Sequence, residues 1–125
     1  MIITSPDNVE EILAQATDKG YAVATATTPH TGDFRATQAE IARALRLPEN
    51  AETNLDALED SLRDLPQIWG GPVALHWQGA ETLARADGPR FWFLCEILDG
   101  ADLPVVASGE ITLGRSTYAG PEADR

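Results

Sequence analysis

An α/β domain built on a small three-stranded parallel sheet is the fold class this 125-residue sequence predicts, and three observations carry it. Three short runs have strand character: Tyr21 to Thr27, Pro72 to Trp77 and Leu103 to Ala107. Stretches with helical apolar spacing separate them, as parallel strands require for their crossovers. The composition is that of one globular domain, with 43% hydrophobic and 23% charged residues, too apolar for a disordered chain and large enough for a core without disulfides or metal.

The elements follow in order. Ser5 suits a cap and Pro6 the first helical position, and Asp7, Glu10 and Glu11 suit the positive end of a helix dipole. Val9, Ile12, Leu13 and Ala16 then recur at three-and-four spacing until Gly20, predicting an N-terminal helix. The strand from Tyr21 leads into the loop Thr28-Pro-His-Thr-Gly32. Thr37 and Glu40 form a capping-box pair, so a second helix is expected to start near Thr37, bury Ile41, Ala44 and Leu45, and end before Pro48. Residues Glu49 to Glu52 lack periodicity and read as a surface loop. Thr53 and Asp56 open a third helix with Leu55, Leu58, Leu62 and Leu65 on its buried side, and Pro66 to Gly71 is read as a connection. After the central strand come a short helix over 79–86 and a longer one from Asp87 and Pro89 to Gly100. Beyond the last strand, 110–114 extends the sheet or folds back as a hairpin. The domain is expected over 1–114 with a frayed tail at 115–125.

Charge narrows the function classes. Nine Lys plus Arg stand against twenty Asp plus Glu, a net charge of −11 and a pI near 4.4. That balance argues against nucleic-acid binding, since phosphate attraction needs Lys and Arg, and favours a basic partner or plain solubility. No apolar run is long enough for a membrane span and no secretory leader opens the sequence, so a cytoplasmic protein is expected. Cys95 is the single cysteine, which rules out an intrachain disulfide or a cysteine metal cluster.

The acids are unevenly placed. Between Leu47 and Leu65 six acids (Glu49, Glu52, Asp56, Glu59, Asp60 and Asp64) face one base, Arg63. Asp56, Asp60 and Asp64 recur every four residues, one column on the side of a helix away from its leucines. An acid in the first turn is favoured by the dipole, but each later like-charge pair costs roughly 0.2–0.5 kcal/mol. Such a column makes sense on a face that docks a cationic surface; it also fits a merely solvated face, and periodicity does not choose.

The run Leu47-Pro-Glu49, then Asn54-Leu-Asp-Ala-Leu58, then Asp60 and Leu62, resembles the barstar family of intracellular inhibitors of barnase-type ribonucleases. The order of elements, with a Pro-initiated strand ending at Trp77 and a final strand after a Gly-terminated helix, is similar over residues 20 to 108. The N-terminal helix and the Trp69-Gly-Gly71 insertion lie outside the minimal family pattern. The resemblance implies a plug, in which carboxylates of the helix and its leading loop meet the Arg, Lys and His that would hold RNA phosphate. By position, Asp56 and Asp60 match the acidic anchors, and Asn54 and Leu55 the start of the binding helix. Asn50, Glu52, Glu59 and Asp64 flank them, and Glu96 or Asp99 matches a later acid that contributes in the family. Two departures stand out. The family's loop is aromatic and glycine-bearing where this chain has Asn50, Ala51 and Glu52, and the family's helix aromatic is Glu59 here. The expected partner is therefore a basic protein, a secreted or toxin-type ribonuclease, with no cofactor, metal, nucleic acid or membrane, and a monomer when free. The alternative is an acidic interaction or regulatory module with a non-ribonuclease partner.

Catalysis is not expected. His30 and His76 lack metal-ligand spacing, and Cys95 reads as a small buried hydrophobe. Asp56 and Asp60 share an exposed helix face without the enclosing pocket an acid–base pair needs. Phe91, Trp92 and Phe93 point in different directions and are expected to fill core on two sides, with Trp92 able to reach the surface near Glu96 and Asp99.

Overall fold

The computed structural model describes residues 2, 3 and 6–108. Four parallel strands, β1 (Ile2–Ile3), β2 (Ala22–Thr27), β3 (Val73–Gln78) and β4 (Val105–Ala107), form one sheet in the order β1-β4-β3-β2. Among the described residues six α-helices accompany it: α1 (Val9–Asp18), α2 (Phe34–Ala44), α3 (Leu55–Ser61), α4 (Leu65–Trp69), α5 (Ala80–Ala86) and α6 (Gly88–Gly100). The expected three-stranded parallel sheet is present as β2, β3 and β4, and the two-residue β1 extends it at the β4 edge. A strand that short carries no alternation to read.

The chain moves across the sheet one way from β1 to β2 and back the other way through β3 and β4. Right-handed crossovers then place α1 on one face and α2 to α6 on the other. Burial agrees. Ala24, Ala26, Val73, Leu75, Trp77, Val105 and Ala107 enter the main core with Ile41, Leu45, Leu58, Leu62, Phe91, Leu94 and Leu98. The alternate residues Ala74 and Val106 instead line a small cleft with Ile12 and Ala16 of α1. β3 is buried along most of its length because both its faces are covered, whereas β2 alternates between buried alanines and exposed threonines.

Helix boundaries depart from expectation for identifiable reasons. α1 is preceded by a 3-10 turn at Pro6–Asn8 rather than starting at Pro6. α2 starts at Phe34, three residues before Thr37, because the Asp33 carboxylate accepts the Ala36 N–H at 2.7 Å and caps the helix there. Thr37 is fully buried, and its hydroxyl donates to the Asp33 carbonyl at 2.8 Å. It lies 3.3 Å from the Thr28 hydroxyl, which accepts the Trp77 indole N–H at 2.8 Å, so a polar chain links α2 to β3 within the core. The helix expected through Leu65 stops at Ser61 and passes through a 3-10 turn, Leu62–Asp64, into α4. Pro66 explains the break: it lacks an N–H, and its ring would collide with the carbonyl four residues back. The stretch read as a connection is therefore helical as far as Trp69.

Gly32 is required by contact as well as conformation. Its φ is +71°, and an added Cβ would lie 2.6 Å from the Ala86 Cβ and 2.9 Å from the Thr82 carbonyl oxygen. The 110–114 extension or hairpin and the 115–125 tail lie outside the described residues.

Candidate functional site

The segment from Pro48 to Asp64 runs over the end of α2, and its backbone is held from below. Glu49–Glu52 is a 3-10 turn rather than an irregular loop, with Ala51 fully buried in the core. Gln38 of α2, also buried, donates from Nε2 to the Ala51 carbonyl at 3.1 Å. A 3-10 turn has no apolar periodicity over four residues, which is why the sequence reads as surface. The Asn50 carbonyl accepts the Asn54 N–H at 3.1 Å, joining the turn to α3. Asn54, not Thr53, is the cap: its Oδ1 accepts the Ala57 N–H at 3.1 Å.

Asp56 and Asp60 project from α3 about 6 Å apart along the axis and about 40° apart around it. Asp56, Glu59 and Asp60 are exposed. Asp60 meets Arg63 at 3.6 Å, with both side chains 78% exposed, a pair worth under about 1 kcal/mol that a partner displaces at little cost. Asp56 and Glu59 form no ion pair or hydrogen bond through their carboxylates among the described residues. Asp64 is exposed but leaves the column, since the turn of three residues per winding rotates it out of the four-residue register. The expected three-acid column is therefore a pair with Glu59 beside it.

The other predicted positions divide. Asn50 is exposed at the turn. Glu52 is turned inward, its side chain 23% exposed and its Oε1 3.2 Å from Arg43 Nε. Leu55 is half-buried and Asn54 uses its side-chain oxygen as the cap. Glu96 and Asp99 are exposed on α6. The α6 residue that shares a cavity with Leu55 is Arg90; the two acids lie about 9 and 13 Å farther along the axis.

Of the three adjacent aromatics, Phe91 fills the core against Trp77 with ring centroids 5.4 Å apart. Trp92 is half-buried with its ring edge-on to Phe91. Phe93 does not enter the core: it is 45% exposed, the one large hydrophobic side chain so exposed among the described residues. The aromatic that reaches solvent on α6 is thus Phe93, one turn from Arg90 and from Glu96.

Burial shifts the protonation of two groups, Cys95 and His76. Burial pushes the Cys95 thiol up to about 12, so it carries negligible thiolate at neutral pH. His76 lies nearly buried on the α1 side of the sheet, its Nε2 2.9 Å from the Ser108 hydroxyl, and burial lowers its pKa. No group of three potential metal ligands occurs among the described residues, and no helix among them is long and apolar enough to cross a membrane.

Compared with known proteins, residues 21–109 match the family model described as barstar (barnase inhibitor). No curated protein and no solved structure matches the chain. The matched segment begins after α1 and contains the whole of the acidic turn and α3.

Proposed function

The chain belongs to the barstar family, and from that premise we propose that it is an inhibitor that occludes the active site of a basic, barnase-type ribonuclease with α3 and the turn before it. The observation that carries this reading is the state of the α3 carboxylates. Asp56, Glu59 and Asp60 stand exposed on a short helix fixed at its start by Asn54 and through the turn by Gln38, and the pair between Asp60 and Arg63 is weak. Rigid, solvated carboxylates of this kind offer charge-assisted hydrogen bonds to the arginines and lysines that would hold a substrate phosphate, with little ordering left for the encounter. Inhibition follows from occupancy, and no bond is made or broken. Such a protein acts in the cytoplasm of a cell that makes a secreted or toxin-type ribonuclease, as a monomer before capture.

The test is inhibition of RNA hydrolysis by a purified barnase-type ribonuclease. Asp60→Asn should weaken inhibition at least thirty-fold, about 2 kcal/mol, whereas Asp7→Asn on the remote N-terminal turn should change it less than twofold. Equal effects at the two sites, or no inhibition by the wild type, would reject the plug.

A second reading, an acidic regulatory module with another basic partner, is favoured by the turn itself. Ala51 is buried and Glu52 is tied to Arg43, so the turn offers a partner only Glu49 and Asn50 and no aromatic side chain. Capture of a basic protein without ribonuclease activity, through Asp56 and Asp60, would establish this reading.

A further inference from the structure

Three of the nine basic residues converge on one cavity of about 340 Å³ beside the acidic turn. Arg35 and Arg43 reach it from α2 and Arg90 from α6, and Phe34, Glu52 and Leu55 supply much of the remaining wall. For a chain of net charge −11 this is a marked local reversal of sign.

The three guanidinium groups are differently committed. Arg43 is held between Glu40 at 3.1 Å and Glu52 at 3.2 Å. Arg90 lies 5.4 Å over the Phe34 ring and meets Asp87 at 3.6 Å. Arg35 is exposed and forms no ion pair among the described residues. Glu52 is the one carboxylate in the lining and Arg43 already engages it, while Arg90 meets Asp87 outside the lining, so the uncompensated positive charge in the cavity is that of Arg35. Its wall is also partly apolar at Phe34 and Leu55. A planar anion on a short methylene stem fits both features: the carboxylate meets a guanidinium fork and the stem lies against the half-buried Leu55. Inorganic phosphate satisfies only the first.

The position of the cavity names the source of that anion. Its lining includes Thr53 and Leu55, on either side of the cap residue Asn54 and next to Asp56 in the chain. A protein seated on the α3 acids therefore overhangs it. We infer that the Arg35–Arg90 cavity receives an aspartate or glutamate side chain of the protein docked on α3, so that the binding face has two poles. This rests on the reading that α3 docks a basic protein. The acids alone attract any cationic surface; a carboxylate seated beside them selects partners with an acid at the matching place and fixes their register.

The test has two arms. In the first, the 15N-labelled chain is titrated with butyrate, inorganic phosphate and butylammonium, following the Thr53 amide and the Arg35 and Arg90 side-chain N–H signals. Butyrate should give saturable, localised shifts that weaken at least fivefold in R35Q. Non-saturating shifts, an unchanged response in R35Q, or phosphate acting at lower concentration than butyrate would overturn the assignment. The second arm is ribonuclease inhibition by R35E, which makes the chain more acidic. If only overall charge mattered, R35E would bind a basic enzyme more tightly; with the cavity engaged it should bind at least tenfold more weakly. Tighter or unchanged binding by R35E, with Asp60→Asn still weakened, removes the cavity and leaves the plug. An inert Asp60→Asn removes the plug, and the butyrate titration then still decides whether the cavity takes carboxylates.

Discussion

Replacing Gln38 by methionine keeps the length of the side chain and removes its amide. In the structure that amide makes one hydrogen bond, to the carbonyl of Ala51, and both residues are essentially excluded from water. The variant leaves a buried carbonyl without its donor, a loss of about 1–3 kcal/mol, while volume is nearly conserved and adds little. With a urea slope of about 1–3 kcal/mol/M, the unfolding midpoint should fall by roughly 1 M. Gln38→Ala should cost more, because the shortened side chain also leaves a void under the turn. The distinctive expectation is local: amide exchange at Ala51 and Thr53 should accelerate in Gln38→Met beyond what global destabilisation accounts for, as the turn loses its fixed shape. The reasoning fails if the methionine variant unfolds within about 0.3 kcal/mol of wild type, or if its turn amides exchange no faster than those of β3.

Two further tests concern the scaffold. Gly32→Ala should destabilise the chain by about 2–5 kcal/mol through left-handed strain and overlap with Ala86 and Thr82, whereas Gly20→Ala, with nothing within 4 Å of its added Cβ, meets only the strain; equal losses in thermal unfolding would contradict the contact argument. His76 has a lowered folded pKa, so its contribution is complete above the unfolded value of about 6.5 and is lost as pH falls from there through the folded pKa. Urea midpoints measured from pH 8 down to pH 5 should therefore drop in wild type below about pH 6.5 more steeply than in His76→Gln, and parallel curves would show that burial of the ring is not the cause.

What the sequence made legible and what it hid divide along physical lines. Asp56 and Asp60 could be read as neighbours because their relation is local, set by the pitch of one helix. Asp64 failed the same rule because Pro66, two residues beyond it, breaks the winding. The three core strands were visible from their β-branched and apolar runs, but β1 pairs only two residues with a partner more than a hundred positions away. Ala51 looked like surface because a 3-10 turn imposes no period; it is buried in the main core, and its carbonyl is satisfied by Gln38, thirteen residues back. Arg35 and Arg90 meet only through the packing of α6 against the start of α2, which no spacing announces. Phe93 was misplaced for the converse reason: three adjacent aromatics cannot all face one core, and the sequence does not say which one is turned out.

The pairing of Ile2 with Val106 and Ile3 with Ala107 also bears on local stability. It spans the largest sequence separation of any pair in the sheet, with only two residues paired, so the β1 edge is held by few ladder hydrogen bonds. The acidic face is built wholly from the segment between β2 and β3, on the opposite side of the sheet from α1. Local opening of the β1 edge with α1 should therefore leave the segment from Glu49 to Asp64 in place, which amide exchange faster at β1 than at α3 would register.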